Sequence, residues 1–182
     1  MYTQTTEYAP KKLFELFTEA LVDPKNRLPQ NYLLEDLHST ENLCYSITIN
    51  ENGDAVSGSV ARIRSFYKGG ARVLSRYYTS KKLSRSGMRY SKYHTKGMNT
   101  FACEQLDQQV DFAIQQGINK HFVSREYGNF LIMKNIHKGI QYHCKYKDWV
   151  LEPNEWQTAP CDTDDCWQHI IWRGGNPLHN VR

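Results

Sequence analysis

The sequence has no hydrophobic run of the length that crosses a membrane. A membrane-spanning helix needs about 20 consecutive apolar residues, and no stretch of the 182 residues approaches that number. Residues 1–12 are polar, and no apolar core precedes a small-residue cleavage site, so no signal peptide is predicted. We therefore expect a protein without a membrane partner.

Cysteine is sparse and follows no pattern. Five cysteines, an odd number, lie at positions 44, 103, 144, 161 and 166. Such scatter is typical of a reduced, intracellular protein, and we expect a cytoplasmic location. Cys161, Cys166 and His169 miss the spacing of common zinc sites, so no metal site is predicted.

Charge and repetition are also weak signals. The net charge is +4, which is too small by itself to indicate a nucleic-acid partner. The sequence contains no internal repeat and no low-complexity segment. A chain of 182 residues is typical of one domain that folds without a disulfide or metal. We predict a single domain over residues 1–182.

Hydrophobic periodicity in the first half changes from helical to alternating. KKLFELFTEAL places its apolar residues on one helical stripe, and Asn52-Gly53 suits a tight hairpin turn between two alternating segments. The middle of the chain therefore reads as an antiparallel meander. The predicted elements are helices at 11–21 and 29–37, strands at 42–50, 56–66 and 71–80, and a turn at 51–54.

A basic loop at 81–97 precedes the strongest predicted helix, at 99–117. Gly117 is a natural stop for this helix. A strand, a crossover helix and a second strand at 120–126 imply parallel pairing of 71–80 with 120–126. The remaining predictions are a helix at 129–139, a strand at 140–151, a turn region at 152–165 and a strand at 166–174. The predicted buried face of the long helix consists of Phe101, Leu106, Val110, Ala113 and Ile114.

This order of elements resembles the GNAT superfamily of N-acetyltransferases over about residues 8–173, most specifically over 71–139. The family motif Gln/Arg-x-x-Gly-x-Gly/Ala lies between the fourth strand and the long helix, where this chain has His94-Thr-Lys-Gly97-Met-Asn99. Gly87, in SRSGMR, is a second candidate that lies farther from the helix. The resemblance implies an α/β (α+β) fold with a mixed, mostly antiparallel central sheet and helices on both faces.

The resemblance also implies an enzyme that transfers an acetyl or other acyl group from acetyl-CoA, or another acyl-CoA, directly to an amine acceptor. A helix N-terminus suits the pyrophosphate of coenzyme A, because its N–H groups are unpaired and carry partial positive charge. The residues implied to bind coenzyme A are Tyr77, Tyr78, Arg85, Arg89, Lys92, His94, Lys96, Gly97, Met98, Asn99 and Asn129.

Three residues are implied to act in catalysis. Glu126, at the end of the parallel strand, is the nearest candidate for the base that deprotonates the amine. Tyr127 and Asn135 are candidates for the acid that protonates the leaving sulfur, and Asn135 stands where the family often has tyrosine. The class of the amine acceptor stays open between a small molecule, a protein and a nucleic acid, and the sequence is compatible with a homodimer.

The basic and aromatic run at 76–94 has three interpretations. It is a solvated loop, a platform on which single-stranded nucleic acid stacks, or a surface that binds the polyanionic coenzyme A. The third interpretation is favoured because it requires no second ligand. The second leads to an alternative function, a non-catalytic module that binds nucleic acid or protein on a GNAT-like fold.

Overall fold

The computed structural model describes residues 2–21, 37–64, 72–79, 94–95, 98–124, 130–153 and 168–172. Their helices and strands alternate along the chain as a mixed α/β domain. The elements are β1 (Tyr2–Thr6), α1 (Lys11–Leu21), β2 (Asn42–Ile49), β3 (Ala55–Arg64), β4 (Arg72–Thr79), β5 (His94–Thr95), β6 (Met98–Asn99), α2 (Thr100–Gln115), β7 (His121–Ser124), α3 (Phe130–His143), β8 (Trp149–Pro153) and β9 (Gln168–Trp172).

Seven of these strands form one sheet in the order β1-β2-β3-β4-β7-β9-β8. All neighbours pair antiparallel except β4 and β7, which pair parallel at Val73↔His121 and Leu74↔Phe122. The predicted fold class and the predicted parallel pairing are both confirmed. The parallel pair arises because α2 carries the chain back across the sheet between β4 and β7.

Helices cover both faces of the sheet. α1 packs on one face, where Leu13, Leu16 and Phe17 are buried against β2 and β3. α2 and α3 pack on the opposite face, where a core cluster joins Val110 of α2 to Ile140 of α3 and to the last two strands. No helix in the described part of the chain is long and apolar enough to span a bilayer.

Two turns form as their sequences predict. In the β2–β3 hairpin the side chain of Asn50 accepts hydrogen bonds from the backbone N–H groups of Asn52 and Asp54, and Gly53 has a φ of 80°. Gly117 ends α2 with a φ of 71°. Ile118 N–H donates to the Ala113 carbonyl at 2.8 Å, the bond expected when a left-handed glycine closes a helix.

The predicted strand at 140–151 is wrong over most of its length. Residues 140–143 complete α3, and the strand β8 begins only at Trp149. Helical spacing wins because Ile136, Ile140 and Cys144, at intervals of four, all join the same core cluster. Gly139, the last residue of the predicted helix at 129–139, is buried inside α3.

Three smaller corrections concern segments predicted from polar sequence. Residues 2–6, for which no element was predicted, form the edge strand β1. Asn99 belongs to β6, so α2 begins at Thr100 and not at residue 99. His94 and Thr95, predicted as loop, pair with Asn99 and Met98 in a short hairpin. Of the predicted helix at 29–37, only residue 37 is described, and it is helical.

Candidate functional site

The sheet opens where β4 and β7 separate. The two strands pair at only two positions, Val73↔His121 and Leu74↔Phe122. Beyond this point β4 continues to Thr79 against β3, and β7 continues to Ser124 against β9. Among the described residues, the backbone of 75–79 therefore has no strand partner on its β7 side. An extended ligand with amide groups can pair with such an edge as an added strand would.

The start of α2 is suited to an anion. The helix begins at Thr100, directly after β6, and its first turn contains no acidic residue. Within this turn, no carboxylate competes for the unpaired N–H groups and the partial positive charge of the helix N-terminus. The β5–β6 hairpin lies immediately before this turn, and β6 contacts both α2 and α3.

α2 places two glutamines inside the protein. Gln105 and Gln109, one turn apart, are 1% and 0% exposed. A buried amide without partners is costly, so both side chains must form hydrogen bonds. Their partners belong to a layer of six hydroxyl side chains on the adjacent face of the sheet. This hydroxyl layer consists of Thr3, Thr5, Ser46, Thr48, Ser57 and Ser59.

Gln105 bonds to three members of the hydroxyl layer. Its Oε1 accepts a bond from Ser59 Oγ at 2.6 Å, and its Nε2 donates to Thr48 Oγ1 at 3.0 Å and Ser57 Oγ at 3.2 Å. Gln109 Nε2 donates to Ser59 Oγ at 2.7 Å and to Ser46 Oγ at 3.1 Å. Ser59 therefore links the two amides, accepting from one and donating to the other.

The same network reaches the edge of the sheet. Thr3 and Thr48 share a hydroxyl–hydroxyl bond of 2.7 Å, and Thr5 and Ser46 share one of 2.8 Å. On the outer side of α2, Thr3 donates to Glu104 and Thr5 donates to Gln108, both at 2.7 Å. We call the two buried amides, these two outer partners and the hydroxyl layer the amide–hydroxyl network.

The sequence patterns did not predict this network. Its predicted buried face for α2 was apolar, and Leu106, Val110 and Ala113 of that prediction are indeed buried. The missing signal is a coincidence of two spacings. Hydroxyl residues recur at every second position in three strands, and glutamines recur four apart in one helix. Either spacing by itself is also typical of a solvent-exposed face, so neither predicts the network alone.

Carboxylates on the other side of α2 hold the chain that follows α3. Asp107 accepts bonds from the backbone N–H groups of Lys145, at 2.7 Å, and Tyr146, at 3.4 Å. Asp111 accepts from the Tyr146 hydroxyl and from Lys145 Nζ. Burial raises the pKa of Asp107, although the two N–H bonds act in the opposite direction. These side chains serve the packing of the fold.

His121 lies at the base of the opening, where β4 and β7 still pair. Its side chain is fully buried and meets the ring of Trp149 edge to face, with centroids 5.7 Å apart. Burial lowers the pKa of His121 to about 3, because the charged form would lose its hydration. The imidazole is therefore neutral at physiological pH, and it does not act as a charged group toward a ligand.

The described cysteines are unsuited to covalent catalysis. Cys44, Cys103 and Cys144 are free thiols in the core. Burial raises the pKa of Cys44 to about 12. A hydrogen bond with Cys103, together with burial, raises the pKa of Cys144 as well. The nucleophile would be the thiolate, and the environments of Cys44 and Cys144 suppress it.

The residues proposed from sequence fall into two groups. Tyr77 and Tyr78 lie on the open segment of β4, His94, Met98 and Asn99 lie in the hairpin before α2, and Asn135 is exposed on α3. The structure thus places the two tyrosines at the opening and the three hairpin residues at the start of α2, whereas Asn135 belongs to neither set. The remaining proposed residues lie outside the described part of the chain: Arg85, Arg89, Lys92, Lys96, Gly97, Glu126, Tyr127 and Asn129.

No protein-family model matches the sequence, and no curated protein matches it. Solved structures do. A spermidine N-acetyltransferase from Vibrio cholerae has a TM-score of 0.55 at 8% identity, with 95% of each chain covered. An N-acetyltransferase from Staphylococcus aureus has a TM-score of 0.54 at 9% identity, covering 95% of this chain and 98% of that one.

A GNAT-family acetyltransferase from Streptococcus pneumoniae has a TM-score of 0.51 at 9% identity, covering 94% of this chain and 99% of that one. The likeness extends over nearly the whole of both chains in every case. The chain therefore has the GNAT acyl-CoA N-acyltransferase fold, as its order of elements predicted.

Proposed function

We propose that this protein is an N-acyltransferase that transfers an acetyl or other acyl group from acyl-CoA to an amine acceptor. The observation that carries the proposal is the opening between β4 and β7, within a fold that its structural neighbours use for acetyl transfer. The opening presents a strand edge that has no partner among the described residues, and the start of α2 presents unpaired N–H groups. Coenzyme A can bind to both, because its arm carries amide groups that pair with a strand edge and its pyrophosphate can accept bonds from the N–H groups.

In this proposal the amide groups of the pantetheine arm pair with the backbone of β4 near Tyr77 and Tyr78. Asn129 holds the arm from the β7 side. The pyrophosphate lies at the start of α2, against the segment from His94 to Asn99. Lys92, Lys96, Arg85 and Arg89 supply positive charge for the phosphates, as Arg and Lys do at other phosphate sites.

The proposed chemistry is direct transfer. The amine nitrogen attacks the thioester carbonyl carbon, a C–N bond forms and the C–S bond breaks. The amine loses one proton and the sulfur gains one. Glu126 is the proposed base for the first proton. Tyr127 can supply the second, whereas the amide of Asn135 can only donate a hydrogen bond to the sulfur. Among the described residues, the burial of Cys44, Cys103 and Cys144 supports a route that forms no acyl-cysteine at these three thiols.

Calorimetric titration with coenzyme A tests the proposal directly. We expect saturable binding at millimolar or lower ligand concentrations. Release of the coenzyme A thiol from acetyl-CoA, followed with a thiol reagent over a panel of amines, then tests catalysis and identifies the acceptor class. A well-folded protein that shows no binding at millimolar coenzyme A would exclude the enzyme.

Two substitutions locate the pyrophosphate. If backbone N–H groups hold it, Gly97→Val should weaken coenzyme A binding far more than His94→Ala, because a side chain at residue 97 would block close approach of the backbone. Equal effects of the two substitutions would move the site elsewhere, with Gly87 as the next position to test.

The basic and aromatic run at 76–94 favours a second candidate function, a module that binds nucleic acid or protein without catalysis. Single-stranded nucleic acid would stack on tyrosines and contact Lys and Arg through its phosphates. Binding of single-stranded RNA or DNA that weakens steeply with salt, in a protein that does not bind coenzyme A, would establish this function in place of the first.

A further inference from the structure

We infer that Gln105 and Gln109 are positioning residues for the coenzyme A site, because their bonds to the hydroxyl layer fix α2 in one place on the sheet. The inference rests on the proposed function. On this inference, the amide–hydroxyl network determines where the N-terminus of α2 lies relative to the opening between β4 and β7.

The network is attached close to the start of the helix. Gln105 is five residues beyond Thr100, which is about 7.5 Å along the axis at the rise of an α-helix. All three hydrogen-bond partners of Gln105 lie on β2 and β3. The first turns of α2 are therefore held to these strands by directional bonds and not only by apolar contact.

The same bonds end beside the open segment of β4. Ser57 and Ser59, which bond to Gln105, are in register with Thr79 and Tyr77 of β4. Among the described residues, these two β4 residues have no strand partner on the β7 side. One network thus connects the two elements that would hold the two ends of the ligand, the strand edge for the arm and the helix start for the pyrophosphate.

Directional bonds select one position where apolar packing does not. A helix that packs through leucine and valine can shift or rotate slightly with little loss, since the hydrophobic effect is non-directional. Because the two glutamines are one turn apart, a shift of α2 by one turn would put one amide in the place of the other, carry the second amide away from its hydroxyls and leave polar groups buried without partners. Only one arrangement of α2 satisfies Gln105 and Gln109 together.

The test compares three variants on α2. Gln105→Met and Gln109→Met keep the length of the side chain and remove its amide. Val110→Ala is the matched control, since residue 110 is next to Gln109, equally buried, and packs in the core cluster shared with α3. All proteins are compared at a temperature where circular dichroism shows them fully folded.

We expect the glutamine variants to raise the dissociation constant for coenzyme A by about tenfold or more. In an acyl-transfer assay, KM for acyl-CoA should rise while kcat at saturation is retained. Hydrogen exchange of the amides at residues 104–107, which form the first hydrogen bonds within α2, should become faster when measured without ligand. Val110→Ala should leave all three measurements near those of the unmodified protein.

The inference is overturned if the folded glutamine variants bind coenzyme A as tightly as the unmodified protein does. It is also overturned if Val110→Ala weakens binding equally, because the effect would then come from general loss of stability. Failure of the unmodified protein to bind coenzyme A is a different result, which removes the proposed function and this inference together.

Discussion

The two faces of the β2–β3 hairpin hold their helices by different means. On one face, α1 buries Leu13, Leu16 and Phe17 among apolar side chains of the two strands. Gly58 lies under this contact, where an added Cβ would come within 2.3 Å of Leu13 Cδ1. The helix therefore approaches the strand closely, and burial of apolar surface stabilises it.

On the opposite face, the alternate residues of the same two strands bear hydroxyl groups. Ser46, Thr48, Ser57 and Ser59 are at most 2% exposed, and they bond to two glutamines of α2. A buried hydrogen bond adds little net stability, but breaking one is costly. The apolar face thus supplies adhesion to α1, whereas the polar face determines where α2 lies.

The largest effect is expected from the apolar face. Phe17→Ala should lower the free energy of unfolding by about 3–5 kcal/mol, because it leaves a cavity under α1. Urea denaturation measures the change. Phe14→Ala in the same helix is the matched control, since Phe14 is only partly buried and should lose less. Equal losses at the two positions would contradict the assignment of the buried stripe.

Introducing methionine on each face compares how the two faces contribute to stability. Leu16→Met should cost less than about 1.5 kcal/mol, since it conserves volume and apolar character. Gln105→Met should cost about 1–3 kcal/mol, toward the upper end, because three buried hydroxyls lose a partner at once. Urea denaturation of the two variants measures both losses in the free energy of unfolding. If methionine is tolerated equally at both positions, the amide bonds do not stabilise the α2 face.

Sequence alone was sufficient for the apolar face and insufficient for the polar one. The stripe of α1 and the left-handed Gly53 and Gly117 follow from local patterns that have few alternatives. The amide–hydroxyl network does not, because serine, threonine and glutamine are mostly exposed residue types. Only a register that stacks Ser46 against Ser59 shows that they face a helix.

The predicted boundary between α3 and β8 was wrong for a related reason. Tyr142, Cys144 and Tyr146 alternate as a strand would, while Ile136, Ile140 and Cys144 recur as a helix would. Burial decides between the two patterns, since Tyr142 is 62% exposed and Ile140 is fully buried. For the candidate site, the parallel pairing followed from the order of elements, whereas no local pattern in the sequence indicated where β4 and β7 stop pairing.

A double-mutant cycle tests the close approach on the apolar face. Gly58→Ala should destabilise by about 1–3 kcal/mol, because the new methyl group displaces Leu13. In a Leu13→Ala background the same substitution should cost clearly less, since the clashing Cδ1 is gone. Thermal or urea unfolding of the four proteins gives the coupling. Additive losses would mean that Gly58 is required for another reason.

A pH series separates the amide–hydroxyl network from the one buried histidine described on the same side of the sheet. The side chains of Ser, Thr and Gln do not titrate, so the bonds of Gln105 and Gln109 should not respond to pH themselves. His121 should respond, because burial lowers its pKa from 6.5 to about 3. In the unfolded chain His121 takes up a proton below about pH 6.5, whereas in the folded protein it stays neutral until about pH 3.

The unfolded state is therefore favoured as pH falls from about 6.5 toward 3, and His121 should cost about 1.4 kcal/mol of stability for each pH unit. Stability measured by urea denaturation at several pH values should fall less steeply in His121→Leu than in the unmodified protein. The difference between the two curves cancels the other titrating groups that both proteins share. Parallel curves would show that His121 takes up its proton equally in the folded and the unfolded protein, so that burial does not lower its pKa.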